Sequence, residues 1–249
     1  MKQMLIITDG CSNVGPSPVT AAAQALQQGI TVNVAGVIDY GTIGEWGSRE
    51  IEDIAKAGGG FSRIVGTRQL AHTMQMMTRK TVVQTIQHAV NKELKNILGT
   101  GGAGTIEELP PDDRARVVEV VDELTETSEL DVALVIDASA SMKPKLPAVE
   151  EAIRDLMLSL QARTGPSRIA VFHFPGSPYG DGAVCDVEWT DDLGKIKSLF
   201  GRLPMRGATP TGPAILEVID YFRYVTLEKE QRLAETYGKG ERISGDYVV

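Results

Sequence analysis

The sequence lacks the features that mark several large classes of protein. Its two cysteines, Cys11 and Cys185, are too few for a disulfide framework. No apolar run is long enough to cross a bilayer, and the run Met4–Ile7 is too short for the apolar core of a signal peptide. These absences predict a cytoplasmic protein that has no membrane partner.

Positive charge is also in deficit. The 249 residues include 25 Lys and Arg against 33 Asp and Glu, which gives a formal net charge of −8. The basic residues are dispersed along the chain, whereas binding to nucleic acid depends on clustered Lys and Arg. We therefore predict no nucleic-acid partner.

Two nucleotide-binding signatures are missing or out of place. There is no Gly-Lys-Ser or Gly-Lys-Thr phosphate loop in the sequence. Residues 99–104 fit the pattern G-x-G-x-x-G, but a dinucleotide site needs that loop between a strand and a helix. Here a long helical pattern precedes the glycines, so we predict a flexible linker.

Strand-like and helix-like segments alternate along most of the chain. The expected strands are Met4–Thr8, Thr31–Ile38, Phe61–Val65, Asp131–Ile136 and the β pair Arg168–Phe174 and Val184–Trp189. The expected helices are Ser17–Gln28, Ser48–Ala57, 67–98, a helix opened by Pro110 and Pro111, Leu146–Ala162, Asp192–Phe200 and Pro213–Tyr224. Such alternation predicts a three-layer, Rossmann-like α/β fold, with a mostly parallel central sheet, one antiparallel edge strand and helices on both faces.

Residues 1–90 and 130–225 form two different α/β halves, and 91–129 reads as a helical bridge between them. The remainder, 226–249, is charged and then punctuated by glycine. We predict a tail there whose last part is mobile or without regular structure.

Hard oxygen atoms occur at the ends of strand-like segments in three places. Asp137, Ser139 and Ser141 follow one apolar run, Asp9 follows another, and Thr209 precedes a helix. Ligands of open α/β sheets bind at the carboxyl ends of the strands, so these side chains are expected to converge. Two carboxylates and three hydroxyls suit Mg²⁺, which prefers oxygen and binds few protein carboxylates.

This set resembles the metal-ion-dependent adhesion site (MIDAS) of von Willebrand factor A domains, whose pattern is Asp-x-Ser-x-Ser, then Thr, then Asp. In that family the Asp-Gly element comes last, whereas here Asp9 comes first, so the resemblance implies a circularly permuted domain. The run Ile-Thr-Asp-Gly-Cys-Ser near the start, with the reversed halves, is similar to bacterial YabS-like von Willebrand A proteins. Ala138 and Ala140 depart from the pattern, because many members have glycine there.

The resemblance implies a role for each residue. Ser139 and Ser141 would bind Mg²⁺ directly, and Mn²⁺ or Ca²⁺ could substitute for it. Thr209 would bind directly in one state and through water in another, while Asp137 and Asp9 would act mainly through coordinated water. An Asp or Glu of a protein partner would take the open position, which implies a non-enzymatic interaction module.

Three alternatives stay open at this stage. The same site could handle a phosphoryl group in a Mg²⁺-dependent enzyme or regulator, or the bridge helices could act as a scaffold. The halves could also pair between two chains, giving a swapped dimer instead of the monomer that a tether of about forty residues favours.

Cys11 is expected to be a small packed side chain. His173 lies inside a strand and is expected to be a satisfied structural histidine.

Overall fold

Six strands form one sheet in the computed structural model, which describes residues 1–38, 44–98, 105–176, 182–196, 199–205 and 207–238. The strands are β1 (Lys2–Thr8), β2 (Ile30–Ile38), β3 (Gly59–Gly66), β4 (Leu130–Asp137), β5 (Ser167–Phe174) and β6 (Val184–Thr190). Their order across the sheet is β3-β2-β1-β4-β5-β6. Only β6, at one edge, runs antiparallel to its neighbour β5.

Helices cover both faces of this sheet. They are α1 (Pro18–Gln27), α2 (Glu45–Ala57), α3 (Leu70–Leu98), α4 (Pro111–Thr127), α5 (Leu146–Gln161) and α6 (Thr211–Gly238). Residues of α3, α4 and α5 share one hydrophobic core, and residues of α1, α2 and α6 share the other. The predicted three-layer, Rossmann-like α/β fold is therefore confirmed, including the antiparallel edge strand.

The central strands are apolar throughout because helices cover them on both sides. Side chains alternate between the faces of a strand, so Leu5 and Ile7 enter the core of α3 and α5, while Met4 and Ile6 enter the other. All four side chains are fully buried. A near-continuous apolar run is thus the sequence signal for β1, as it is for β4.

The two halves of the chain meet at the centre of the sheet. β1 and β4 pair in parallel, in a register that runs from Lys2 opposite Asp131 to Ile7 opposite Ile136. The prediction that these two strands are neighbours is confirmed. β2 lies on one side of this pair and β5 on the other, so the strand order reverses between β1 and β4. Such a reversal opens a crevice at the carboxyl ends of the strands.

The bridge between the halves is anchored to the core. Ile106 and Val121 are buried against α3 and α5. The Arg163 guanidinium, just after α5, donates hydrogen bonds to the carbonyls of Thr125 and Ser128 at 2.7 and 2.9 Å, which satisfies groups at the end of α4. The linker predicted at 99–104 lies outside the described residues.

Two elements differ from the sequence prediction. A helix was expected over Asp192–Phe200, but the described part holds only a 3-10 turn, Leu193–Lys195, so that prediction is wrong. The Asp192 carboxylate accepts a hydrogen bond from the Gly194 amide at 2.7 Å. This hydrogen bond forms a local turn that competes with a helix. In contrast, α6 continues past its expected end at Tyr224 and reaches Gly238, within the predicted tail.

Within the described ranges, none of the helices combines the length and apolar character needed to cross a membrane.

Candidate metal centre

Asp9 and Asp137 lie side by side at the carboxyl edge of the sheet. Asp137 is the last residue of β4, and Asp9 directly follows β1, its parallel neighbour. The Thr8 hydroxyl bridges the two strands by donating to the Asp137 carboxylate at 2.6 Å. Residues that are far apart in sequence thus reach one point because their strands end together.

Asp137 is a buried carboxylate that has no basic partner in the described part of the chain. Asp137 is 0 % exposed. The carboxylate oxygen that does not bind Thr8 accepts a hydrogen bond from the Ser139 amide at 2.8 Å. Burial raises the pKa of the Asp137 carboxyl, against hydrogen bonds from Thr8 and Ser139 that lower it. A buried carboxylate held only by neutral donors is stabilised by a proton or by a cation.

The two serine hydroxyls lie close together just beyond the carboxyl end of β4. Ser139 Oγ and Ser141 Oγ are 3.1 Å apart. Two oxygens bound at right angles to one Mg²⁺, each about 2.1 Å from it, are about 3.0 Å apart. Ser141 donates its single hydroxyl hydrogen to Asp9 at 2.9 Å, so its oxygen accepts in the contact with Ser139 and keeps one further lone pair. This spacing and the all-oxygen donor set fit a small octahedral cation.

Asp9 differs from Asp137 because a cation of the chain already neutralises it. Lys145 forms an ion pair with the carboxylate oxygen of Asp9 that does not bind Ser141. Both side chains are largely buried, with 12 % of Lys145 and 5 % of Asp9 exposed. Lys145 ends the 3-10 turn Ala140–Lys145, which begins directly after Ser139.

Thr209 joins the cluster through the loop that follows Asp9. Its amide donates to the Asn13 side chain at 2.8 Å, and the Asn13 amide donates to the Thr209 carbonyl at 3.2 Å. Thr209 itself is 7 % exposed. The structure therefore brings Thr209 to the same edge, while its contacts to this loop run through the backbone.

Sequence reasoning missed several residues that shape the site. Thr8 donates a hydrogen bond to Asp137, and Lys145 forms an ion pair with Asp9. Asn13, in the loop after Asp9, accepts a hydrogen bond from the Thr209 amide. The Glu50 carboxylate, on α2, accepts a hydrogen bond from the Ser12 amide at 2.6 Å. Burial raises the pKa of the Glu50 carboxyl. Lys145 stands only four residues after Ser141, so its position close to the motif was the one signal available.

Cys11 and His173 are two further candidate residues from the sequence. Cys11 is exposed, so the prediction of a packed side chain is wrong, because the loop after Asp9 runs over the surface. His173 is buried on β5 and its Nδ1 lies 2.7 Å from the Asp186 carboxylate, but its buried Nε2 has no hydrogen-bond partner among the described residues, so the histidine is satisfied at one nitrogen only. No group of three or more His, Cys, Asp or Glu that could hold a metal occurs within the described ranges. A cation at the carboxyl edge would therefore depend on the hydroxyls.

Comparisons with known proteins place the chain among close relatives. No protein-family profile matches it. "Uncharacterized protein YabS" of Bacillus subtilis (strain 168) is 47% identical over 225 residues, which cover 90% of each chain. A crystal structure of an uncharacterized protein from Alicyclobacillus acidocaldarius subsp. acidocaldarius DSM 446 matches with a TM-score of 0.83 and 42% identity, over 92% of this chain and 96% of that one.

A much more distant solved structure is proximal thread matrix protein 1 from the mussel byssus, with a zinc-occupied MIDAS motif. It matches with a TM-score of 0.26 and 16% identity, over 84% of this chain and 43% of that one. A likeness at this level carries no argument about the site.

Proposed function

This chain belongs to the family of Bacillus subtilis YabS, and from the site that its fold assembles we propose that it is a Mg²⁺-dependent protein-interaction module. It acts in the cytoplasm without catalysing a reaction. A partner protein presents an Asp or Glu side chain to the metal at the carboxyl edge of the sheet.

The observation that carries the proposal is the fully buried Asp137 beside a pair of hydroxyls. Its carboxylate has neutral hydrogen-bond donors as partners, and burial disfavours its charge. A divalent cation next to Ser139 and Ser141 would compensate that charge, and the 3.1 Å spacing of their hydroxyls matches one edge of an octahedron.

Mg²⁺ fits this donor set better than other common cations. The candidate ligands are hydroxyl and carboxylate oxygens, a donor set that suits Mg²⁺ better than the softer Zn²⁺ or Cu²⁺. Ca²⁺ takes six to eight oxygen ligands, whereas Mg²⁺ usually keeps several waters and needs few ligands from the protein. Mn²⁺ and Ca²⁺ are weaker substitutes under this proposal.

Each residue has a distinct role in the proposed site. Ser139 and Ser141 bind the metal through their hydroxyls, and Thr209 binds it directly or through water. Asp137 and Asp9 orient those hydroxyls and the coordinated waters, as the hydrogen bond from Ser141 to Asp9 already does in the protein. Neutral hydroxyls leave much of the metal charge uncompensated, so an incoming carboxylate binds strongly.

The surroundings of the site suit a protein partner. Ser141 is exposed, as is most of the loop between Cys11 and Ser17. Trp46 lies at the start of α2, which begins at the carboxyl edge because it follows β2, and 81 % of it is exposed. Exposed tryptophans are enriched among the residues that contribute most to binding between proteins.

A magnesium titration tests the metal site. At ten times its dissociation constant, Mg²⁺ should raise the free energy of unfolding of the wild type by about 1.4 kcal/mol. Asp137→Asn should abolish this increment, because the amide cannot compensate the cation. Calorimetric or denaturant unfolding with and without Mg²⁺ measures it.

The matched control is Asp131→Asn, at the other end of β4. Asp131 pairs with Arg168 at 2.9 Å, so this variant loses a carboxylate of the same strand without touching the site. It should keep the full magnesium increment. If Mg²⁺ does not stabilise the wild type, the proposed metal site is wrong.

Partner capture from a lysate, with Mg²⁺ or with EDTA, then tests the interaction. Proteins retained by the wild type with Mg²⁺ should be lost with EDTA and with Asp137→Asn.

The exposed apolar residues Val118, Val120 and Leu124 of α4 favour a second candidate function, a scaffold that binds partners through its helical bridge. Capture that survives Asp137→Asn but fails after polar substitution of those three residues would support the scaffold.

A further inference from the structure

We propose that Lys145 sets the net charge of the metal site, so that Mg²⁺ alone is held weakly and a carboxylate ligand is required for tight binding. The inference rests on the proposed function, and it concerns how the metal and the partner depend on each other. Lys145 acts here as a specificity-determining residue that does not itself bind the metal.

The position of Lys145 is the first step in the argument. Its ammonium pairs with Asp9 and also lies 3.3 Å from the Ser141 carbonyl. Only 12 % of the side chain is exposed, so this is an enclosed charge rather than a mobile surface lysine. Solvent screens such a charge much less than it screens an exposed one.

The second step is a count of formal charges at neutral pH. With both carboxylates ionised, as in the metal-loaded site, Asp9 and Asp137 contribute two negative charges and Lys145 one positive charge, so the protein groups sum to −1. Mg²⁺ changes this to +1, and one carboxylate from a partner then brings the site to zero. Without Lys145, Mg²⁺ alone would neutralise the site, and an added carboxylate would carry it to −1.

The third step is the energetic consequence. A resident ammonium repels an incoming divalent cation and competes with it for Asp9, so it weakens metal binding. The same positive charge attracts an anionic ligand to the loaded site. Metal and carboxylate therefore favour each other's binding, and the coupling between them is reciprocal.

Calorimetric titration with Mg²⁺ tests this on the 249-residue chain. Acetate serves as the carboxylate probe and acetamide as its neutral counterpart, at fixed ionic strength. In the wild type, acetate but not acetamide should tighten Mg²⁺ binding. In Lys145→Met, Mg²⁺ alone should bind about tenfold more tightly, and acetate should tighten it less than in the wild type.

Three further variants sharpen the comparison. Lys145→Arg keeps the charge and should behave like the wild type. Lys143→Met removes an exposed lysine of the same turn and should also leave both affinities unchanged. If Lys145→Met does not fold, as circular dichroism would show, Lys145→Gln repeats the test with a polar neutral side chain.

The outcomes separate this inference from the proposed function. Equal or weaker Mg²⁺ binding by folded Lys145→Met or Lys145→Gln overturns the role of Lys145 alone. That role is likewise overturned if acetate tightens Mg²⁺ binding equally in the wild type and the neutral variants. A wild type that binds no Mg²⁺ overturns both the inference and the proposed function.

Discussion

Asp9 and Asp137 show how differently two neighbouring carboxylates can be compensated. Asp9 has the ammonium of Lys145, whereas Asp137 has a hydroxyl and an amide. Removing one member of a buried ion pair leaves the other charge uncompensated and is strongly destabilising. Changes at Asp9 therefore disturb folding as well as the site, and Asp137 is the better position at which to separate metal binding from stability.

A half-buried titratable pair, Cys185 and Tyr221, predicts sensitivity to alkali. Burial raises the pKa of the Cys185 thiol on β6 to about 11, and it also raises the pKa of Tyr221, its hydrogen-bond partner on α6. The folded protein thus keeps a proton that the unfolded chain loses from about pH 9 upward. The free energy of unfolding should fall as pH rises through this range.

Denaturant unfolding measured across this pH range checks the prediction. The decline should be shallower in Cys185→Ala, because the substitution removes one proton that the folded state retains. Tyr221→Phe should have the same effect at higher pH. An identical decline in wild type and Cys185→Ala would contradict the assignment.

At the scale of elements, the apolar runs made the central strands predictable. β1 and β4 are buried on both faces, so their sequences are continuous hydrophobic segments that end at a carboxylate. The helix expected over Asp192–Phe200 failed because a local turn at Asp192 overrides its weak periodicity.

The part of the site that was not predictable depends on contacts between distant elements. The Asp-x-Ser-x-Ser motif and Asp9 were recognisable because a motif records the type and spacing of ligands. The pairing of Lys145 with Asp9 and of Asn13 with Thr209 requires β1, β4 and the start of α6 to be in place. Such contacts leave no periodic pattern along the chain.

The loop that follows Asp9 packs tightly against the first turn of α6. A Cβ on Gly212 would lie 1.9 Å from the Pro16 carbonyl oxygen, so the loop backbone would have to move. Gly212→Ala should therefore lower stability by about 1–3 kcal/mol, although alanine favours a helix elsewhere. It should also weaken Mg²⁺ binding, because the displaced loop holds Asn13, which contacts Thr209, and begins directly after Asp9.

Gly201→Ala is the control for that substitution. A Cβ at Gly201 meets nothing within 4 Å, so this variant should keep the wild-type magnesium affinity. Thermal unfolding and magnesium titration of both variants provide the comparison. Unchanged Mg²⁺ binding by Gly212→Ala would show that the loop position does not matter to the site.

At the scale of the whole molecule, the start of the chain lies close to α6. Lys2 donates to the Thr226 hydroxyl at 2.9 Å. Joining the end of the chain to Met1 by a flexible linker and opening it before Thr105 would place the Asp-x-Ser-x-Ser half first. This rearrangement preserves the pairing of β1 with β4.

The circularly permuted variant should fold to the same structure and keep the magnesium-dependent stabilisation. Domains tolerate such changes when the joined points are near each other and the new ends are at the surface. Analytical ultracentrifugation should show a monomer of 26.8 kDa plus the linker. A stable dimer in either the original or the permuted order would instead favour halves exchanged between two chains.

The meeting of β1 with β4 also has a consequence for synthesis. Asp9 leaves the ribosome well before Asp137 and Thr209, which lie 128 and 200 residues further along the chain. The nascent amino-terminal half therefore holds one edge of its sheet unpaired until β4 arrives, and the metal cannot assist its early folding. Loading with Mg²⁺ would then report that translation of both halves is complete.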